Sequence, residues 1–377
     1  LSSAGGTRHI EMFSQLDDWT FQILAANLSY LDQQLVQQTE EFATVPVSRY
    51  RGNGISRVAN WASYSAMALV RGLTGTKPDV VYGSSPHMGA ALAGWTIAKV
   101  RRAGFVLEVR DLWPHILAES GMMSDESGIY LALKKLERFL YRRADTIVIL
   151  AEGSADYIVA EGIDRQKIVF VPNGADPSDF EVDESREALR DEYGFDGFCI
   201  VYAGAHGPAN GLHYVLDSAI ALADTEAQFH LIGAGVSKDE LVDEARRRGI
   251  RNVTFHDPIP KSQIRRILAA ADTGLHCLAD HDLFTKGVSP NKLYDYMAAG
   301  LPVITNTRGE VANLVAEAQS GVAVGPAEIE AAVRQLLTSD SERLAAFGSN
   351  GKQWMHTNRS RAAMGRRVQN QLEKAAK

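Results

Sequence analysis

Cysteine is nearly absent from this 377-residue sequence: Cys199 and Cys277 are the only two, each inside an apolar run. Two such thiols exclude a disulfide framework and read as reduced core residues of a cytosolic protein. Long hydrophobic runs are missing too, because stretches such as Met88 to Ala98 are broken by Lys or Gly well short of the roughly 20 residues a membrane span needs. No bilayer-crossing helix is expected. Positive charge is not in excess either. The formal net charge is −7, and residues 1–180 hold 17 Lys and Arg against 20 Asp and Glu, so no strongly basic domain is available for nucleic acid. There is no heptad run, no low-complexity segment and no G-x-S-x-G elbow for a hydrolase triad. An initiator Met is also missing. The opening "LSSAGGTRHIEMFSQL" is a Gly-rich turn followed by a helix-period pattern, which reads as a βα unit without its first strand, so the true N-terminus is expected further upstream.

What is present is alternation. Apolar strand-like runs, among them 21–25, 80–82, 105–109, 146–150, 168–171, 199–202, 229–232, 253–255, 273–276, 303–305 and 321–324, are separated by helical patterns at 128–143, 212–223, 238–248 and 264–271. This order predicts a parallel α/β architecture. The turn formers Pro172, Asn173, Gly174 and Pro177 in "VFVPNGADPSDF" end one unit, and the strand pattern then restarts. The expected domains are 1–176 and 177–357, with a C-terminal helix at about 358–377 packing back on the first. Ligands of open α/β sheets bind outside the carboxyl ends of the strands, so two facing halves predict a site in the cleft between them.

One stretch, "TKGVSPNKLYDYMAAGLPVITN" (285–306), carries most of the chemical signal. Ser289 suits an N-cap, Pro290 the first turn, and Gly300 with Pro302 a stop before a strand. Lys292, Asn291 and Asp295 share a face near a helix N-terminus, whose free N–H groups attract anions. A cation, an amide and a carboxylate there fit a nucleotide; the alternative is a capped surface helix with an internal Lys–Asp pair. "CIVYAGAHGPANGLHYVL" is strand, loop (Gly204, Gly207, Gly211) and helix, a layout that brings amides to a phosphate, although it lacks G-x-G-x-x-G and GK[S/T]. "FHLIGAGVSKDEL" repeats that layout, and the backbone around Ile259 in "NVTFHDPIPKSQI" offers contacts to a flat base.

In this order, these pieces, with "EVRDLWP", "LERFLYRRADTIVILAEG", "VPNGAD" and "AAADTGLHCL", resemble the nucleotide-sugar glycosyltransferases of the GT-B fold, in particular retaining family 4. "RDLWP" and "SPNKLYDYMAAG" resemble the subgroup that elongates bacterial surface polysaccharides and lipid-linked glycans. The resemblance implies two facing Rossmann-like domains with the active site between them. It implies a nucleotide-sugar donor, UDP-linked, bound by Gly6, Gly204, His206, Gly207, Ile259, Lys286, Val288, Ser289, Pro290, Asn291, Lys292 and Asp295. The acceptor, a glycan or lipid-linked, would meet His87 and Arg110, with Asp111 as the catalytic carboxylate. Departures fall where the family carries two glutamates, here Gly287 and Asp295, and an Arg and a Lys for the diphosphate, here Ala205 and Asn210. Neutralisation then rests on Lys292, Lys286, His206 and backbone amides. Retention by this family is ascribed to same-face attack assisted by the leaving phosphate, so no enzyme nucleophile, cofactor or metal is expected.

The rival signal is "HCLADHDLF", where Asp280 and Asp282 form a DxD near His276, Cys277 and His281. Within a GT-B order it reads as an acidic loop. Two other functions stay open: a nucleotide-sugar 2-epimerase of the same fold, and a non-catalytic nucleotide-sugar-binding module. The resemblance and the cations Lys134, Lys135, Arg138, Arg142 and Arg143 point to peripheral contact with the inner face of the membrane, against an ordinary solvated helix face.

Overall fold

In the computed structural model the chain forms two compact units, Leu1–Pro172 with Arg361–Lys377, and Asn173–Ser360. The structure describes residues 7–29, 34–36, 38–39, 42–52, 54–85, 87–119, 121–281, 284 and 288–376. No helix among them is long and apolar enough to cross a membrane.

The first unit holds a parallel pair, β1 (Ile23–Ala26) with β2 (Phe42–Val45), and a parallel sheet of β3 (Val80–Ser84), β4 (Gly104–Val109), β5 (Thr146–Ile149) and β6 (Ile168–Phe170) in that order. Strands such as "TIVI" are apolar on both faces because both faces are covered. On one side the helices Met88–Arg101, Gly128–Arg143 and Ser154–Ala160 bury Phe105, Leu107, Ile147 and Ile149. On the other, Thr7–Phe13 and Arg361–Ala375 bury Val106 and Val148 under Met12, Phe13, Met364, Val368 and Leu372. The exception inside β4 is Glu108, fully buried, which accepts hydrogen bonds from Arg8, Tyr82 and Ser84 and pairs with His9 at 2.8 Å. Burial acts to raise its pKa, but His9 and Arg8 outweigh it and hold the carboxylate well below the usual range. Arg8 reaches on to the carbonyls of Val171 and Pro172.

The second unit has one six-stranded parallel sheet of β7 (Phe198–Ala203), β8 (Ala227–Ile232), β9 (Val253–His256), β10 (Thr273–His276), β11 (Val303–Thr305) and β12 (Gly321–Ala323), ordered β12-β11-β10-β7-β8-β9. The chain runs outward from β7 to β9, then returns to the other side of β7 and runs outward again. This is the dinucleotide-binding order, and its reversal lies between β7 and β10. Separate apolar cores cover the two faces.

Strand β2 escaped the sequence reading: four residues ended by Pro46 carry little alternation. The helix after Ser289 starts later than expected, at Asn291, with Pro290 in the cap position and no side-chain cap bond. Ser289 is not an N-cap, because its hydroxyl accepts the N–H of Asn173 at 3.1 Å instead. Gly300, at φ 77°, ends that helix as its sequence implies.

Candidate active site

The carboxyl ends of β7 and β8 are joined through backbone. Gly204 N–H donates to Ile232 C=O and His206 N–H to Ala234 C=O, both at 2.9 Å. The loops touch so closely that a Cβ on Gly233 would stand 1.9 Å from Gly204 O, and one on Gly235 2.2 Å from His206 O. Gly233 also has φ 150°, so both glycines in "LIGAG" are required by contact. Their effect is to seat the Gly204–Gly207 loop over the strand reversal.

Lys292 comes to this loop from the second position of the Asn291–Ala298 helix. Its stem passes Gly204, where a Cβ would lie 3.0 Å from Lys292 Cε. The ammonium donates to Tyr202 Oη and Asn210 Oδ1, each at 2.9 Å, and lies 4.3 Å from the Tyr202 ring centroid. Tyr202 Oη in turn donates to Ala205 C=O at 2.7 Å. Among the described residues no carboxylate pairs with Lys292, so an internal Lys292–Asp295 bridge, the alternative raised by the sequence, is not formed. Burial pushes its pKa down to about 8. A cation enclosed by neutral partners keeps one N–H and most of its field for an anion.

His206 adjoins it. The side chain is fully buried, and neither ring nitrogen has a hydrogen-bond partner. Burial, then Lys238 and Lys292, lower its pKa to about 4, so the ring is neutral and presents one donor and one acceptor. Gly204, Gly207, His206 and Lys292 are thus brought together. Ile259 and Val288 are half-buried against the same core. Asn291 is exposed and Asp295 half-buried one turn on. Gly6 and Lys286 lie outside the described residues. The sequence reading missed Tyr202 and the supporting role of Asn210; a Tyr next to last in the strand before a glycine loop was the available signal.

Of the DxD, Asp282 also lies outside the described residues. His276 turns inward, its Nδ1 2.9 Å from Thr305 Oγ1, and burial lowers its pKa to about 3; Cys277 is buried as well.

In the first unit Arg110 and Asp111 follow β4, with Arg110 N–H donating to Ser85 Oγ at 2.9 Å. Asp111 is open to solvent on one side and lines a cavity of about 20 Å³, room for about one water, with Trp113 and Glu137. The surrounding protein raises its pKa and Arg110 opposes the rise. His87 caps the Met88–Arg101 helix: Nδ1 accepts Ala90 N–H at 2.8 Å and Nε2 lies 3.1 Å from Trp61 C=O. Both its nitrogens are engaged by backbone. Lys134 is equally committed, at 2.6 Å from Glu137 and 2.7 Å from Glu161, and so leaves the basic face expected of its helix.

Residues 15–174 match the family model described as "Glycosyl transferase 4-like domain", and residues 197–339 the one described as "Glycosyl transferases group 1". The chain belongs with the GT-B glycosyltransferases. Among curated proteins it is 26% identical over 266 residues to the Escherichia coli K12 protein named colanic acid biosynthesis glycosyl transferase WcaI, covering 68% of this chain and 65% of WcaI. It therefore spans less than two thirds of that relative. Among solved structures it resembles Anabaena HepE in complex with UDP, at a TM-score of 0.66 and 17% identity over 88% of this chain and 86% of HepE. It also resembles a sucrose-phosphate synthase from Thermosynechococcus elongatus, at a TM-score of 0.75 and 14% identity over 98% and 92%.

Proposed function

We propose that the protein transfers a hexosyl or N-acetylhexosaminyl group from a UDP-sugar to a glycan or lipid-linked acceptor, with retention of configuration. The observation that carries this reading is the Lys292 ammonium at the strand reversal, held by neutral groups only and flanked by the bare ring nitrogens of His206. The UDP complex of HepE and the name of WcaI support it.

In this reading Lys292 and the amides around Ser289 to Asn291 neutralise the diphosphate as it leaves. Lys286 and Gly6 belong to the same grip, Ile259 and Val288 face the base, and Asp295 accepts the ribose hydroxyls. The acceptor oxygen bonds to the anomeric carbon on the face from which the phosphate departs, and its proton passes to that phosphate. Asp111 orients the acceptor hydroxyl. No metal enters the reading, since the cation is supplied by a side chain.

The product's anomeric configuration, read by NMR with EDTA present, tests it. A retained product is expected; an inverted one, or activity lost to EDTA and restored by Mg²⁺, would overturn it. Asp111→Asn should cut turnover strongly and leave UDP affinity unchanged. Turnover of donor without acceptor would instead indicate an epimerase, and tight UDP binding with no turnover a binding module. We place the protein in the cytoplasm, peripheral on the membrane's inner face, with Lys135, Arg142 and Arg143 as the cations of the Gly128–Arg143 helix that remain once Lys134 and Arg138 pair with Glu161.

A further inference from the structure

A 20-residue helix, Ile55–Thr74, turns its apolar residues outward. Ile55, Val58 and Val70 are 89%, 59% and 53% exposed, and Ala59, Ala62 and Ala66 between them are exposed as well. The spacing of three and four places all six on one stripe about 25 Å long. A surface helix ordinarily carries charge on that side. This stripe carries none. Cations stand at its ends instead, with Arg49 and Arg51 before the helix and Arg71 and Lys77 at and beyond its close, all exposed. The sequence from Phe42 to Pro78 contains no Asp or Glu, in a chain whose net charge is −7. The opposite side of the helix packs on Met88–Arg101, so the stripe is not a core face turned out by error: Gly72 meets Ile97, where a Cβ would fall 2.4 Å from Cδ1.

We infer that this stripe is the surface on which the protein lies on an anionic lipid bilayer, with the six apolar side chains entering the headgroup layer and the flanking arginines contacting lipid phosphates. The inference rests on the membrane part of the reading above and moves the contact away from the Gly128–Arg143 helix. Charge decides the occupant. In a two-fold contact with a second copy the stripe would pair with itself, and antiparallel helices would bring Arg49 and Arg51 against Arg71 and Lys77 with no acid between them. An anionic bilayer answers both features at once, apolar depth along the stripe and negative charge at its ends.

Flotation with phosphatidylcholine vesicles, with and without phosphatidylglycerol, tests it on three variants of the full chain. They are Ile55→Ser/Val58→Ser/Val70→Ser, Arg51→Gln/Arg71→Gln, and Lys135→Gln/Arg142→Gln/Arg143→Gln. The substituted side chains of the first two are exposed, and an unchanged circular dichroism spectrum and melting curve confirm that each variant is folded. The parent should bind phosphatidylglycerol vesicles at low salt and release them as salt rises. The first variant should lose binding, the second should weaken it about 30-fold, at about 5-fold per arginine, and the third should bind like the parent. If only the third loses binding, the inference falls and the membrane reading stands. If the parent binds no vesicle at low salt, both fall, while its UDP affinity judges the transferase reading separately. Equal binding to vesicles without phosphatidylglycerol, or a parent dimer that the first variant makes monomeric in ultracentrifugation, would also overturn it.

Discussion

Lys292 shows what a single enclosed charge implies for pH. Its free-state pKa of about 8 means that the ammonium is present below that pH and lost above it. A bound diphosphate favours the charged form, so its pKa rises in the complex. Affinity for UDP should therefore be flat at lower pH and fall above pH 8, by up to tenfold per unit, until the pKa of the complex is passed. Calorimetry across pH 6.5 to 9.5 reads this, and Lys292→Ala should bind weakly with no such slope. At the other end of the nucleotide, hydrogen bonds to a charged group are worth roughly 1.5–3 kcal/mol, so Asp295→Ala should weaken UDP binding about 10- to 100-fold. Uridine separates the two: Asp295→Ala should weaken its binding also, and Lys292→Ala should leave it almost unchanged. Parental UDP affinity in both variants would reduce the helix to a scaffold.

Between elements the most demanding contact is that of the two glycine loops. Gly235→Ala would press a methyl to 2.2 Å from His206 O, so the loop must move or the unit must lose stability. We expect a lower melting temperature and poorer UDP binding together; a variant that melts and binds like the parent would show the loops to be loosely seated. This contact also marks the limit of what the residues reveal. Alternation of apolar runs with helical periods made nearly every strand legible, because buried parallel strands must be apolar on both faces. The glycines of "YAGAHG" and "IGAG" were legible as a phosphate-type layout. That one loop leans on the other depends on partners 28 residues away, and that Lys292 reaches Asn210 and not Asp295 and that Ser289 serves Asn173 depend on partners 82 and 116 residues away. Local spacing carries no trace of such pairings. Lys134 is the same case, since its partner Glu161 stands just past the end of the Ser154–Ala160 helix.

At the scale of the whole chain, the first unit is discontinuous: its sheet comes from residues before Pro172 and one covering helix from Arg361–Ala375. Met364, Val368 and Leu372 of that helix are 3%, 0% and 5% exposed. Burying an apolar side chain contributes about 1.5–3 kcal/mol, so deleting residues 361–377 should remove a large part of a marginal stability of about 5–15 kcal/mol. The truncated protein should expose the β4–β6 face to protease or dye at a temperature where the second unit still binds UDP. Equal protection in both forms would mean that the helix is dispensable.

That discontinuity acts in time as well as in space. During synthesis, the β4–β6 face has only the Thr7–Phe13 part of its cover for a long interval, because the 188 residues of Asn173–Ser360 are translated before the Arg361–Ala375 helix. At about 5–20 residues per second the delay is roughly 10 to 40 s. For that interval Val106, Val148 and Val171 lack the Met364, Val368 and Leu372 side of their lid, and the ribosome-bound protein offers chaperones hydrophobic surface that the finished molecule never shows.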